Sequence, residues 1–303
     1  MSKILFGTPV RVKNTVLNEF LQGLEDIEKG NNEVSYYFVD DNVDEVSSNL
    51  LKSFAKRNDT IIKKGTELFQ TNDNYDGHNW KFETLAKVTV YKNTIIQYCI
   101  DNNYDYLFLI DSDIVLDKRS LLQLLSDDVE IVSNVFWNQW KENGILTPQC
   151  LWLPDIYILE SSWNTMRPFA ESHKMKMDVI EQMKTPGLYP VDGTGECTLI
   201  KREALEKGVN FTEIPNVKLL GEDRPFCIRA GALGYTLYMD THYPAYHCSK
   251  EIYLDRIEEF RRDGWKFDMC CRYDNIEKKI KPFPKSRKFI TRIAKRVVRD
   301  LSD

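Results

Sequence analysis

The sequence lacks any apolar run long enough to cross a membrane. Such a span needs about 18 or more consecutive apolar residues, and charged or polar residues interrupt every stretch of that length in the 303 residues. The first ten residues, MSKILFGTPV, have only a short apolar stretch and no cleavage signature, so we expect no secretory signal. These absences favour a cytoplasmic protein.

Cysteine is scarce and shows no disulfide or metal pattern. The chain has seven cysteines, an odd number, and none has the CxxC spacing. A zinc ribbon and a secreted disulfide framework are therefore excluded, and reduced thiols agree with a cytoplasmic location. Wholesale disorder is excluded too, because 42% of the residues are hydrophobic and 12% are aromatic.

Excess positive charge is absent from most of the chain. The net charge is −5, but residues 278–303 hold ten Lys or Arg and two Asp, a local balance of +8 that leaves −13 for residues 1–277. We expect no nucleic-acid partner for so acidic a body, and the tail is a separate electrostatic unit.

The most informative stretch is LFLIDSDIV, residues 107–115. Its continuous apolar run between helical patterns predicts a central strand buried on both faces. Asp111 and Asp113 follow that strand, and ligands collect at the carboxyl ends of parallel strands. Two such carboxylates indicate either a Mg²⁺ or Mn²⁺ site shared with substrate phosphates or the ordinary preference of strand ends and helix starts for Asp.

Strand and helix patterns alternate over the first 115 residues. Strands at Lys3–Phe6 and Val34–Val39 flank an amphipathic helix, and this spacing predicts a parallel crossover unit. Gly7-Thr8-Pro9 is predicted to turn after the first strand, and a longer helix is predicted for Phe82–Ile100. The predicted fold class is α/β, with a mostly parallel central sheet flanked by helices.

The second half of the chain contributes three further patterns. Val129–Phe136 predicts a strand. The cluster of Trp137, Gln139 and Trp140 after it is typical either of a carbohydrate contact or of a half-buried Trp beside a loop. Gly193 and Gly195 in YPVDGTGECTLI allow a close backbone approach or a strand bulge. In GEDRPF, Pro225 is predicted to lie in the first turn of a helix.

Three landmarks then stand in order: DSD at 111–113, GED at 221–223, and His247 beyond a strand that ends at Asp240. With the stretch GEDRPFCIRAGALGYTLYMDTHYPAYH around the last two, they resemble the nucleotide-sugar-dependent glycosyltransferases of the GT-A fold, in particular the large inverting group called family 2. The fit covers roughly residues 1–255 and is weakest between about 140 and 185.

The resemblance implies a domain organisation. A Rossmann-like GT-A domain would span 1–255, with a nucleotide-sugar half over about 1–136 and an acceptor half over about 137–255. Residues 256–303 would form a C-terminal helical extension that ends in the basic tail.

The resemblance also implies site residues. Asp111 would hold the ribose or a metal-bound water, Asp113 would hold Mn²⁺ or Mg²⁺, and His247 would complete the coordination. Trp137 and Glu196 would lie toward the acceptor. The residues implied on the nucleotide-sugar side are Thr8, Pro9, Val10, Asp40, Lys92, Asn93, Asp111 and Ser112.

The chemistry of sugar transfer agrees with these roles. A pyrophosphate leaving group accumulates negative charge, which a divalent cation stabilises. The attacking hydroxyl must lose its proton, so an acid near the acceptor serves as general base. Asp223 is the candidate, Glu222 is its alternative, and an ordinary acid at a helix N-terminus is the competing interpretation. A base at this position favours inversion.

Substrate expectations rest on the resemblance. The chain lacks the Gln-x-x-Arg-Trp helix of processive polysaccharide synthases, so we expect a hexosyltransferase-type enzyme that moves a single sugar. UDP is favoured over GDP. The acceptor would be a hydroxyl of a glycan, a lipid-linked molecule or a protein.

Two alternatives remain open. Haloacid-dehalogenase-like phosphatases also place DxDxV after hydrophobic residues, but they need a downstream Lys and a GD-x-x-x-D pair, for which GEDRPF is a poor substitute. The other alternative is a catalytically inactive, carbohydrate-binding member of the GT-A fold. The intact residues Asp111, Asp113, Asp223 and His247 argue against it.

The basic tail has an amphipathic pattern. In KSRKFITRIAKRVVRDL, residues 285–301, apolar residues form one helical stripe and cations the other. Such a helix binds either an anionic membrane surface, here the inner face of the membrane, or protein, which would be the acidic body of the enzyme or a second copy in a homo-oligomer.

Overall fold

The computed structural model describes residues 1–70, 82–139, 146–148, 177–215 and 221–269. The strands are β1 (Lys3–Val10), β2 (Glu33–Asp40), β3 (Thr60–Lys64), β4 (Tyr106–Ile110), β5 (Ile114–Val115), β6 (Ile131–Gln139), β7 (Leu146–Pro148), β8 (Leu188–Val191), β9 (Cys197–Lys201) and β10 (Leu237–His247). The α-helices are α1 (Asn14–Asp26), α2 (Glu45–Ala55), α3 (Gly65–Leu68), α4 (Phe82–Asp101), α5 (Ser120–Ser126), α6 (described over 177–182), α7 (Arg202–Glu206), α8 (Asp223–Ala232) and α9 (Ile257–Asp263). Short 3-10 helices occupy Glu251–Arg256 and Phe267–Met269.

A single sheet joins the described strands. Its order is β3-β2-β1-β4-β9-β6-β10-β5, with β7 beside β6 and β8 beside β10. β3, β2, β1 and β4 are parallel, β9 is antiparallel between β4 and β6, and β10 is parallel to β6. Most strands therefore share one direction. The predicted α/β fold, a mostly parallel central sheet flanked by helices, is confirmed.

Apolar cores cover both faces of the sheet. Leu107 and Leu109 of β4 pack in the core that includes Ile95 of α4, whereas Phe108 and Ile110 pack in the core that includes α1 and α2. These four side chains are at most 5% exposed. The prediction of a central strand buried on both faces is confirmed. The polar residues that begin at Asp111 follow directly after this buried strand.

Helix α4 packs directly on β1 at Gly7. A Cβ atom at this glycine would lie 2.3 Å from Cγ2 of Ile95, a distance that side chains do not tolerate. Because Gly7 has no side chain, α4 can pack closely on the sheet, and α4 is the helix that carries Lys92.

Gly7→Ala should lower the free energy of unfolding by about 1–3 kcal/mol, because α4 must move away from β1. Urea denaturation measures the loss. Gly231→Ala is the matched control, since it lies in α8 with open space around its Cβ position and should leave stability unchanged or raise it by up to about 1 kcal/mol. Equal losses in the two variants would contradict the close packing of α4 on β1.

Two strands are longer than the sequence predicted. The turn predicted at Gly7-Thr8-Pro9 is wrong, because β1 continues to Val10. Pairing with β4 ends at Gly7 while pairing with β2 continues, so one edge of β1 is open where Pro9 lacks its N–H. The predicted strand end at Asp240 is also wrong. β10 continues through an irregularity between Asp240 and Ala245 to reach His247.

Other local predictions have clear outcomes. The helix predicted over Phe82–Ile100 is confirmed as α4, and Gly234, with φ +86°, follows the end of α8 as predicted. The basic tail and most of the 140–176 region lie outside the described residues, and the domain boundary at 255 stays a prediction. Within the described residues, no helix combines the length and hydropathy needed to cross a membrane.

Candidate active site

The DSD sequence forms a tight turn between β4 and β5. The Asp111 N–H donates to the Glu196 carbonyl at 2.8 Å, and the Ile114 N–H donates back to the Asp111 carbonyl at 3.1 Å. The Cys248 N–H donates to the Asp113 carbonyl at 2.7 Å. Backbone from the residue before β9 and from the residue after β10 therefore holds the turn that carries both carboxylates.

Asp113 and His247 face each other. Nε2 of His247 lies 3.2 Å from Oδ2 of Asp113, and its Nδ1 lies 3.2 Å from Oδ1 of Asn138. Nδ1 is placed to donate to the Asn138 amide oxygen, and Nε2 faces the carboxylate. Burial lowers the pKa of His247, but the carboxylates of Asp113, Glu196 and Asp111 together raise it above its ordinary value. The pair is therefore arranged to share either a proton or a cation.

Asp113 and His247 place one carboxylate and one imidazole nitrogen where a divalent cation could take both as ligands. No three His, Cys, Asp or Glu side chains of the described residues converge on one point. Asp113 and His247 would thus supply two ligands from the described part of the chain. Mg²⁺ and Mn²⁺ are commonly held in this way, by one or two carboxylates together with substrate phosphates and water.

Lys92 of α4 lies at the centre of a carboxylate cluster. Its Nζ is 2.8 Å from Oε1 of Glu222, 3.3 Å from Oδ1 of Asp223 and 3.8 Å from Oδ1 of Asp111. Its side chain is 3% exposed, and its ammonium also lies 5.0 Å from the centre of the Phe211 ring. One buried cation therefore links the end of β4 to the start of α8.

Several pKa values in this cluster lie near neutrality. Burial is the largest cause, and it raises the pKa of Asp111 to about 6, of Asp223 to about 7 and of Glu196 to about 8. Repulsion from neighbouring carboxylates adds to each shift. Burial would lower the pKa of Lys92, but the three carboxylates hold it well above its ordinary value. A carboxyl group that titrates near pH 7 suits general-base chemistry.

A cleft of about 260 Å³, which includes space open to solvent, lies on the α4 side of the sheet at the carboxyl end of β4. Its enclosed part is about 10 Å³, which is room for about one water molecule. The rings of Phe211 and Phe226 stack in its wall, with their centres 4.6 Å apart. The lining residues are Lys92, Leu109, Asp111, Thr194, Gly195, Glu196, Thr198, Phe211, Asp223 and Phe226.

A chain of buried hydroxyl groups supports the GTGE loop. The Thr194 hydroxyl donates to Ser133 Oγ, which lies 2.6 Å from Thr198 Oγ1, and Thr198 donates to the Gly195 carbonyl at 2.7 Å. Cys227 of α8 accepts from the Thr194 N–H at 3.4 Å and donates to the Thr194 carbonyl at 3.3 Å. The loop before Glu196 is thereby tied to α8. This network was not predicted from the sequence. Its one indication in the sequence is that Ser133 and Thr198 place hydroxyl groups inside otherwise apolar strands.

The structure places the predicted nucleotide contacts at the carboxyl ends of β1 and β2. Thr8 is fully buried, and its hydroxyl has no hydrogen-bond partner among the described residues. Val10 is buried in the core, and Pro9 is half-buried. Asp40 is 3% exposed, and its oxygens accept from Lys64 and Asn42. Burial opposes ionisation of Asp40, but these donors lower its pKa overall.

An adjacent ion cluster was not predicted. Asp41 accepts from Arg11 at 3.0 Å, from Lys87 at 2.6 Å and from the Tyr91 hydroxyl at 3.1 Å. The sequence signal was limited to the Asp40-Asp41 pair, since nothing local shows that α4 brings Lys87 and Tyr91 to it. The cluster fixes α4 against the ends of β1 and β2.

Asn93, Ser112 and Trp137 are three of the predicted site residues that lie outside the pocket lining. Asn93 accepts from the Phe211 N–H at 2.9 Å and donates to Thr212 Oγ1 at 3.0 Å, so it holds the segment that carries Phe211. Ser112 is 5% exposed within the DSD turn. The strand predicted over Val129–Phe136 ends later than predicted, because β6 continues to Gln139 and includes Trp137. The Trp137 ring is 2% exposed and lies 5.3 Å from that of Phe267, and its role toward the acceptor stays a prediction.

The sequence matches no protein-family model and no curated protein. Among solved structures, S. aureus TarS 1–349 has a TM-score of 0.45 and 14% identity, covering 81% of this chain and 59% of that one. TarS 1–349 in complex with UDP-GlcNAc has a TM-score of 0.45 and 13% identity, covering 81% and 57%. For the longer TarS structure the values are 0.46 and 14%, covering 87% and 40%. The chain therefore spans less than two thirds of the length of these structures.

Proposed function

We propose that the protein is a metal-dependent GT-A glycosyltransferase that moves a single sugar from a nucleotide-sugar donor, with UDP favoured, to an acceptor hydroxyl. The observation that carries the proposal is the convergence at the carboxyl end of β4. There, Asp113 meets His247 at 3.2 Å, while Asp111 lies near Lys92 together with Asp223. Two residues that could bind a cation for the diphosphate, and an acid that could accept the proton of a hydroxyl, thus meet near the carboxyl end of β4.

The donor side is assigned to the ends of β1, β2 and β4. Asp113 and His247 would hold Mn²⁺ or Mg²⁺, which neutralises charge on the leaving diphosphate. Asp111 would bind the ribose or a metal-bound water. Thr8, with its buried hydroxyl lacking a described partner, and Asp40 would contact the nucleotide.

The acceptor side is assigned to Asp223. A new bond forms between the acceptor oxygen and the anomeric carbon while the bond from that carbon to the diphosphate breaks, which inverts the configuration. The hydroxyl proton passes to a carboxylate oxygen of Asp223. Lys92 holds this carboxylate in place, and Glu196, which lines the same pocket, would contact the acceptor. The acceptor belongs to a glycan, a lipid-linked molecule or a protein.

Nucleotide binding tests the donor site. UDP and then GDP are titrated calorimetrically into the wild type, with and without Mn²⁺, and the titrations are repeated with Asp113→Ala. We expect Mn²⁺-dependent binding of one nucleotide, weakened about tenfold or more in the variant, which corresponds to about 1.4 kcal/mol or more.

The control for this titration is Glu203→Ala, which removes a surface partner of Lys207 on α7 and should bind as the wild type does. Absence of binding by either nucleotide under every metal condition would overturn the proposed function. Binding that is unchanged by Asp113→Ala would overturn the assignment of the metal ligands.

A further inference from the structure

A second group of titratable side chains lies outside the candidate active site, where α5 packs on β10. Asp127 follows the last residue of α5, and Asp240 lies in β10 just before its irregular segment. The Gln123 amide donates to Oδ1 of Asp127 at 3.1 Å and to Oδ2 of Asp240 at 3.3 Å. One nitrogen therefore joins the two carboxyl groups, and we call this contact the α5–β10 joint. Neither carboxyl group lines the pocket at the end of β4.

Asp240 is the better satisfied of the two acids. It is 0% exposed, its Oδ1 accepts from the backbone N–H of His242 at 3.0 Å, and its Oδ2 lies 2.5 Å from Nδ1 of the same residue. A buried charge is costly unless its partners compensate it. The His242 ring and the Gln123 amide give that compensation to one carboxylate.

Asp127 has no comparable set of partners. Its Oδ2 is buried and accepts no hydrogen bond from the described residues, and leaving a buried acceptor unpaired costs free energy. Burial is the largest cause that raises the pKa of Asp127 to about 6, and repulsion from Asp240 adds to it. A proton held between the two acids removes both costs, because a carboxyl O–H donates a short, strong hydrogen bond to a carboxylate.

The charged groups on the elements around the joint have partners of their own. Lys201 is attracted by Glu130 as well as by its paired carboxylate, and His242, when protonated, is the cation that acts on Asp127. The ion pairs are Arg119–Asp117, Lys118–Glu28 and Lys201–Asp128. The phenols that β8 and this part of β10 add are Tyr189, Tyr238 and Tyr243.

We propose that Asp127 and Asp240 share one proton across the α5–β10 joint, so that acid strengthens this joint and alkali weakens it. The proton comes from solvent, bonds to Oδ2 of Asp127 and is donated in a hydrogen bond to a carboxylate oxygen of Asp240. Without it, two carboxylates repel each other on either side of the Gln123 amide. The joint holds the part of β10 that leads on to His247, and it does not depend on the proposed function.

Asp127→Asn tests the shared proton, because the amide N–H replaces the acid O–H at every pH. The folded chain binds the proton of Asp127 more tightly than the unfolded chain does, so the stability of the wild type falls as the pH rises through about 6. At pH 8 we expect Asp127→Asn to raise the urea midpoint and to lower the unfolding equilibrium constant about threefold or more. This gain should shrink as the pH is lowered to 5. Asp127→Ser, which is also uncharged, should show the same direction.

Asp128→Asn is the matched control, since it removes the same charge from the neighbouring residue. Asp128 is exposed and pairs with Lys201, which lowers its pKa. Its φ of +49° is a conformation that Asn tolerates. The control should therefore fold as the wild type does, and it should not raise the urea midpoint at any pH between 5 and 8.

Each outcome decides the proposal. A gain at pH 8 in the Asp127 variants that shrinks in acid supports the shared proton. Midpoints at pH 8 that do not exceed that of the wild type, a gain that stays constant down to pH 5, or unfolding of both Asp127 variants at pH 8 would overturn it. An equal gain in Asp128→Asn would overturn it too, because the effect would then come from the net charge of the protein.

Discussion

Asp223→Asn should reduce sugar transfer by about 10²–10⁴-fold, the usual contribution of a general base, and should leave the affinity for UDP nearly unchanged. Asn keeps the size of the side chain and can still contact Lys92, but it cannot accept the proton of the acceptor hydroxyl. Steady-state kinetics and UDP calorimetry on the same preparation separate the two effects. A loss confined to the Michaelis constant, with the turnover number intact, would contradict the role of Asp223 as base.

Glu222→Gln is the comparison that assigns the base. Glu222 does not line the pocket, and its side chain is 4% exposed against 15% for Asp223. We therefore expect a smaller loss of turnover from Glu222→Gln than from Asp223→Asn. The reverse order would transfer the role of base to Glu222.

The pH dependence of the rate has a definite direction. Burial and the neighbouring Glu222 raise the pKa of Asp223 to about 7, and the base must be ionised to accept a proton. Activity should therefore rise as the pH rises through about 7, and this rise should disappear from the residual rate of Asp223→Asn. A rate that falls over the same range would show that the protonated form of the group is the active one.

Lys92→Met should lower the free energy of unfolding by about 3–5 kcal/mol, the cost of removing one partner of a buried ion pair. The substitution leaves Glu222, Asp223 and Asp111 near one another with no described cation between them. Urea denaturation measures the loss. Lys92→Arg should recover part of it, because it keeps a cation at this position.

A surface pair provides the control for Lys92. Lys207 pairs with Glu203 at 2.6 Å, and both side chains are more than half exposed, so Lys207→Met should leave the free energy of unfolding nearly unchanged. Adding Glu222→Gln to Lys92→Met should recover stability, because it removes one of the uncompensated charges. A loss no larger than that of Lys207→Met would contradict the central position of Lys92.

The parts of the fold that the sequence predicted are those with a strong local pattern. The LFLI run predicts β4 because its side chains are apolar on both faces, and Phe82–Ile100 predicts α4 because its length and pattern fit only a helix. Strand ends were harder to predict. Proline is rare inside strands that pair on both edges. Pro9 nevertheless lies in β1, because β4 no longer pairs with its edge of β1 beyond Gly7.

The residues of the candidate site also divide into those that a local sequence pattern predicts and those that it does not. Asp111 and Asp113 follow from their place after a strand. The contact between Lys92 and Glu222 joins residues 130 positions apart, and no local pattern predicts which helix brings a lysine to those acids. The burial of Trp137 was not predicted for a related reason, since it packs in a core that includes Val191 and Met239, far along the chain.

Product analysis tests the central claim most directly. UDP-glucose, UDP-galactose and UDP-N-acetylglucosamine are each incubated with the wild type and with Asp223→Asn in Mn²⁺, and released UDP and inorganic phosphate are measured separately. We expect release of UDP from at least one donor by the wild type, much reduced in the variant, with no release of inorganic phosphate. Release of inorganic phosphate from glucose 1-phosphate under the same conditions, with no UDP released from any of the three donors, would contradict glycosyl transfer and indicate a phosphatase that uses Asp111 as nucleophile.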